Sequence, residues 1–141
     1  MTDPTPDFLP LTHADQERLR RCREWLFAHV APEGQDEARK VEGRLTLVQT
    51  IVSSGWVERD DAFAMEALGV ALGDALADWL KMEWAVVEDE DGRDVVLVVP
   101  GTTAVLHARG LVVRYWTPGE PFDAFALFDA TCTSVEDVMR A

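Results

Sequence analysis

The hydrophobic period of the chain changes near Glu83, and that change most limits what the chain can fold into. Before Lys81 the apolar residues recur every three or four positions. From Trp84 onward they come in dense β-branched runs, "EWAVVE" and "DVVLVV". The first spacing is that of helices with one buried side, and the second is that of strands. Helical signals gather before the switch and strand signals after it, so the expected class is α+β: three N-terminal helices, an antiparallel meander of three to four strands, and a C-terminal helix.

The helices can be bounded from local chemistry. Residues 1–11 hold three prolines and read as an extended arm, pinned by Phe8, Leu9 and Leu11; residues 12–141 read as a single domain. Thr12 is the expected cap of the first helix, with Asp15 at its third position. Leu19, Cys22, Leu26 and Val30 form its apolar stripe, four arginines lie off it, and "APEG" ends it. A second helix is expected from near Asp36 to Gly55, supported by an Asp36–Lys40 pair one turn apart. Trp56 and Val57 are expected to fold back on its end. The third helix starts at Asp60 or Asp61 and runs to about Lys81, with Glu66, Asp74 and Asp78 on its polar face and Trp79 in the core. Gly69 and Gly73 lie one turn apart beside its stripe. A glycine inside a helix costs about 1 kcal/mol relative to alanine, so two of them predict that another backbone passes close.

In the second half "DEDG" is the expected hairpin turn, with Gly92 at a left-handed position. "TTAVLHA" reads as a third strand and "LVVRYW" as a fourth. "FDAFALFDATC" reads as a helix that "SVEDVMRA" extends or follows. Alternation sends Trp84 and Val86 to one face, with Ala85 and Val87 on the other; Val95, Leu97 and Val99 oppose Val96 and Val98. Both faces therefore need cover. The third helix takes one. The C-terminal helix or a second copy must take the other, which predicts a homodimer with Val96, Val98 or Trp116 near a two-fold interface.

Charge narrows the function. The net charge is −13, and it is unevenly placed: residues 60–141 carry sixteen acidic and five basic residues, residues 1–59 ten and eight. Such a field repels phosphate backbones and favours a basic protein partner, so nucleic acid is not an expected ligand. No stretch approaches the ~20 apolar residues of a membrane span. The N-terminus has no basic start with an apolar run behind it, and the expected location is the cytoplasm. Cys22 and Cys132 have no metal or redox spacing and are expected to be free thiols.

The four acids Glu88–Asp91 invite a metal reading. Aligned on Gly92, a calcium loop would need carboxylates at Val87 and Val98, so the ligand set is incomplete. Alternation lets at most two of the four converge, and a wet hairpin tip does not raise a catalytic pKa. No phosphate-binding glycine loop, dinucleotide fingerprint or nucleophile elbow is present. No catalytic residue, metal ligand or cofactor is assigned. His107 and Arg109 share a face of the expected third strand and are candidate anion-binding groups. Trp116 is the candidate exposed aromatic anchor.

Leu68–Gly69, Gly73–Asp74, Glu83–Trp84, the run Glu88–Asp94 and Pro100–Thr102 together resemble the bacterial family called domain of unknown function 3806. The resemblance covers about a third of the chain, and it differs at Asp91, where family members often carry an aromatic. It implies the fold, carries no activity, and marks Asp74 and Arg93 as residues to test. Two readings of function follow. The first is a non-enzymatic interaction module, of accessory or immunity type, that docks a basic partner. The second is a small-ligand site or enzyme at the junction of the third helix and the sheet, using Asp74, Arg93, His107 and Arg109.

Overall fold

The computed structural model describes residues 8–140, six helices and a four-stranded antiparallel sheet. The expected α+β class is what the chain adopts. Helix α1 (His13–Phe27) begins with a capping box: the Asp15 N–H donates to Thr12 Oγ1 at 3.1 Å and the Thr12 N–H to Asp15 Oδ2 at 2.8 Å. Leu19, Cys22 and Leu26 are its buried stripe.

The expected second helix is broken in two. A 3-10 turn (Pro32–Gly34) leads into α2 (Gln35–Ala38), and α3 (Val41–Ser54) starts afresh after an extended Lys40. The break brings Gly43 against the end of α2, where a Cβ would collide with the Glu37 carbonyl. The break also replaces the expected Asp36–Lys40 pair: Arg39 bonds to Asp36 at 3.2 Å and Lys40 to Glu37 at 3.0 Å. Gly55, in the left-handed region at φ 77°, ends α3 as its sequence position implies.

Helix α4 (Ala62–Leu80) is the centre of the molecule. Asp61 caps it by accepting from the Ala64 N–H at 3.1 Å. Eleven of its nineteen residues are buried, because α1, α3 and several later elements pack around it. Two expectations about its surface change. Glu66 and Asp74 do not face open water but the arginines of α1. Trp79 is not core: it is 62% exposed and meets Phe128 edge-on at 6.5 Å.

The sheet runs in the order β1 (Phe8–Leu9), β2 (Glu83–Asp89), β3 (Gly92–Val98), β4 (Val105–Leu106). Residues 8–9 of the expected arm thus add an edge strand, with Phe8 opposite Val87; the rest of that expectation, residues 1–7, lies outside the described residues. Glu90 and Asp91 make the hairpin turn, and Gly92 takes φ 126°. The expected third strand shrinks to Val105–Leu106.

The expected fourth strand is a helix. Ala108–Gly110 forms a 3-10 turn and Leu111–Tyr115 forms α5. β-Propensity is weak against tertiary context, and here the turn lies on α4. A Cβ at Gly69 would run into the Arg109 carbonyl; one at Gly73 would stand 2.6 Å from the Trp84 ring and 3.1 Å from the Ala108 Cβ. Another backbone does pass close, at Gly69, whereas at Gly73 the neighbour is an indole. Arg59 completes α5 by donating to the carbonyls of Val113 at 2.8 Å and Trp116 at 2.6 Å.

One face of the sheet joins the main core through Leu97 and Trp84. The other gathers Ala85, Val96 and Val98, with Phe8, Val87 and Val105 around them. Val96 is 0% and Val98 5% exposed within the single chain. The C-terminal helix α6 (Ala124–Arg140) does not cover that face. It packs on α3 and α4, where Gln49 accepts from the Ala124 N–H at 2.7 Å.

The glycine contacts yield a stability test. Gly69→Ala and Gly73→Leu are each expected to cost about 2 kcal/mol or more, since backbone and a bonded indole must move. Gly110→Ala, whose nearest neighbour is an Arg114 nitrogen 3.9 Å away, should stay within about 0.5 kcal/mol of the parent. Urea melts measure all three; a Gly69→Ala protein as stable as the parent would mean that the turn steps aside at no cost.

Candidate functional site

The polar groups of the helix–sheet junction form a chain of ion pairs. Arg18 of α1 reaches Glu66 of α4, with Nη2 at 2.7 Å from Oε1 and Nε at 3.2 Å from both oxygens. Glu66 Oε2 also accepts from Arg109 Nη1 at 3.2 Å. The other end of that guanidinium donates to Asp94 Oδ1 at 2.6 Å, and His107 Nδ1 lies 2.7 Å from Asp94 Oδ2. Arg109 stands there because its own carbonyl is seated on Gly69. His107 and Arg109 therefore do converge, on Asp94, although neither lies in a strand.

Electrostatics follow from the pairing. The bonds from Arg18 outweigh burial and hold the Glu66 carboxyl below its usual range. Burial would raise Asp94, but bonds from His107 and Arg109 outweigh it and lower it. Burial pushes the Cys22 thiol, beside Glu66, up to about 11, so it is no thiolate nucleophile near neutral pH. These are shifts that hold carboxylates charged, the reverse of what a general acid needs.

Two further pairs are separate. Asp74 is gripped by Arg23 through two bonds of 2.8 Å, and its Oδ1 also accepts from Trp84 Nε1 at 2.9 Å. Arg93, near the hairpin tip, donates to Asp15 at 3.0 Å through Nη1. That carboxylate, already in the α1 capping box, is held well below its ordinary value, first by Arg93 and then by Thr12. Arg93 and His107 both line a cavity of about 250 Å³ at the tip, with Asp89, Asp91 and Asp94. Among the described residues no group of three or more His, Cys, Asp or Glu is placed to hold a metal ion.

Trp116 stands apart from all of these. It is half-buried against Phe122, so it is not the exposed anchor its position suggested. The exposed indoles are Trp79 and Trp56. Trp56 was expected against the helix end, yet it is 59% exposed and borders an open groove of about 460 Å³ between α3 and the 3-10 turn with α2. A second groove, about 420 Å³, runs between α5 and α6. The missed signal is local: Gly55 reverses the chain, and Trp56 is the first residue beyond it.

Comparison with known proteins bears on the fold. The family described as "Domain of unknown function (DUF3806)" matches residues 44–128, more than half of the chain. No curated protein matches. A crystal structure of a protein from Bacteroides thetaiotaomicron VPI-5482 is similar, with a TM-score of 0.66 at 20% identity; the match covers 92% of this chain and 48% of that one. This chain thus spans about half the length of that protein, and the likeness is one of fold. Among the described residues no helix is long and apolar enough to cross a membrane.

The lowered carboxylates set an acid limit. Depressed groups contribute stability that is complete above their ordinary values, 3.8 for Asp and 4.5 for Glu, and is lost as pH falls through the folded values. Stability should be level down to about pH 5 and fall below about pH 4. Asp15→Asn should cost about 2 kcal/mol at pH 7, and the gap to the parent should close as both are acidified. Urea melts at pH 7 and pH 3 would contradict the assignment if the gap stayed constant.

Proposed function

The chain belongs to the DUF3806 family, and on that footing we propose that it is a non-enzymatic protein-interaction module of the cytoplasm, accessory or immunity-like in kind, that docks a basic protein partner. The observation that carries this reading is how the charges divide. At the helix–sheet junction, cations and anions neutralise one another: Arg18, Glu66, Arg109 and Asp94 in one chain, Arg23 with Asp74, Arg93 with Asp15. An anion bound at this junction would have to displace a carboxylate from one of these guanidinium groups.

The acid surplus stays outside. Glu88, Asp89, Glu90 and Asp91 are exposed at the hairpin tip, and no cation among the described residues lies within ion-pair distance of them. Fixed negative charge on a low-dielectric surface speeds the encounter with a cationic partner and repels phosphate. It also opposes edge-to-edge pairing of an apolar hairpin, so one feature serves solubility and steering together.

Affinity capture from the native host, with the immobilised chain washed at rising salt, tests the proposal. The expected capture is a protein of pI above about 9 that elutes by roughly 0.5 M salt. Neutralising the tip (Glu88→Gln, Asp89→Asn, Glu90→Gln, Asp91→Asn) should slow association more than it speeds dissociation. A partner held unchanged through 1 M salt would refute the electrostatic basis. So would a small metabolite whose thermal stabilisation of the parent is lost in Arg109→Met, since that places a ligand at the junction.

A further inference from the structure

We propose that the groove beside Trp56 grips a lysine or arginine side chain of the partner, so that this groove is the contact point of the interaction module; the inference rests on the reading above and adds its site. Trp56 is presented rather than merely left out of the core. Gly55 turns the chain back at the end of α3, and the Trp56 N–H donates to Ser54 Oγ at 3.2 Å. The indole lies nearly parallel to the His29 imidazole, 17° between planes at 5.9 Å. His29 is itself fixed, 4.6 Å from the Trp25 ring and with Nδ1 2.9 Å from the Trp25 carbonyl. An aromatic held this way loses little conformational freedom when it binds, which is the property of an interface anchor.

The chemistry of the groove selects the ligand. Glu37 and Glu42 stand in its wall, Val30 and Leu47 give it apolar surface, and its lining contains no lysine or arginine. An indole face next to carboxylates attracts a cation. Apolar surface beside them accommodates the methylene stem that carries the cation. An anion would be repelled, and a neutral ligand would leave the carboxylates covered without a partner. Glu42 makes no hydrogen bond or ion pair among the described residues. Glu37 pairs with Lys40 at 3.0 Å, and both are mostly exposed, so a partner's cation can displace that contact. A second copy of this chain is the less suitable occupant, because each copy brings a net charge of −13.

Hexa-arginine and hexalysine are suitable probes, with hexaglutamate as the control. In low salt, calorimetry should show saturable binding of both cationic peptides and none of hexaglutamate. The indole N–H resonance that disappears in Trp56→Phe should shift on titration, while that of Trp84, bonded to Asp74, stays in place. Trp56→Ala and Glu42→Lys should each weaken binding at least about fivefold. Neutralising the hairpin tip should slow association but weaken affinity less than either groove variant does. Binding that responds to the tip and not to Trp56→Ala would overturn the groove and leave the basic-partner reading standing. Absence of binding by either cationic peptide would overturn both. A Trp56 resonance that moves on dilution of the protein alone would make the occupant a second copy and also overturn the proposal.

Discussion

The contact between Gly69 of α4 and the backbone of Arg109 is the constraint on which the rest of the structure depends. Two main chains meet there with no side chain between them. Such an approach needs glycine, and it accepts the cost of glycine inside a helix in return for dense packing. Its consequences spread outward. The turn Ala108–Gly110 is pressed against α4, so the chain leaves the sheet after only two residues of β4. Leu111 and Val112 then bury themselves as part of a helix. The Arg109 side chain is delivered between Glu66 and Asp94, where it joins helix layer to sheet.

One turn further along α4, Gly73 does the same for a side chain. The Trp84 ring lies over it, and Asp74 receives the indole N–H while Arg23 holds that carboxylate from α1. A single turn of α4 thus fixes β2, α1 and itself relative to one another. Partly buried ion pairs of this sort add little net stability against well-packed apolar groups, yet losing one partner leaves an uncompensated charge. They specify arrangement more than they deepen the free-energy minimum.

This use of charge shapes what the surface has to offer. α4 is central and nearly surrounded, so Glu66 and Asp74 are neutralised from within, and Arg18 and Arg23 of α1 are engaged in doing so. The hairpin tip and the rim of the Trp56 groove lie beyond their reach. The fold is thus held by its own ion pairs at the centre, with the acids of the hairpin tip and the Trp56 indole on the outside. The similarity to a protein about twice as long, at 20% identity, shows that the fold tolerates extensive change in sequence. Packing patterns of this kind survive wherever volume and polarity are kept.

Much of the fold was legible because it is written in local chemistry. Thr12 with Asp15, Asp61, Gly55 and Gly92 mark element ends through bonds and dihedral angles that involve only near neighbours in sequence. The change of hydrophobic period near Glu83 marks α+β for the same reason. Gly69 and Gly73 announced a close neighbour but not which one, since a glycine records room and not its occupant. What the tertiary structure alone decided were matters of long-range pairing. Leu111–Tyr115 has β-branched residues and became a helix because α4 was there to cover it. The second helix breaks at Lys40, and α2 and α3 then meet at Gly43. His107 and Arg109 meet on Asp94, and Asp74 meets Arg23 across 51 residues of chain. The prominence of Trp56 over Trp116 follows from which surfaces the helices left uncovered. Such outcomes are set by competition among distant packing partners, and no local spacing encodes the winner.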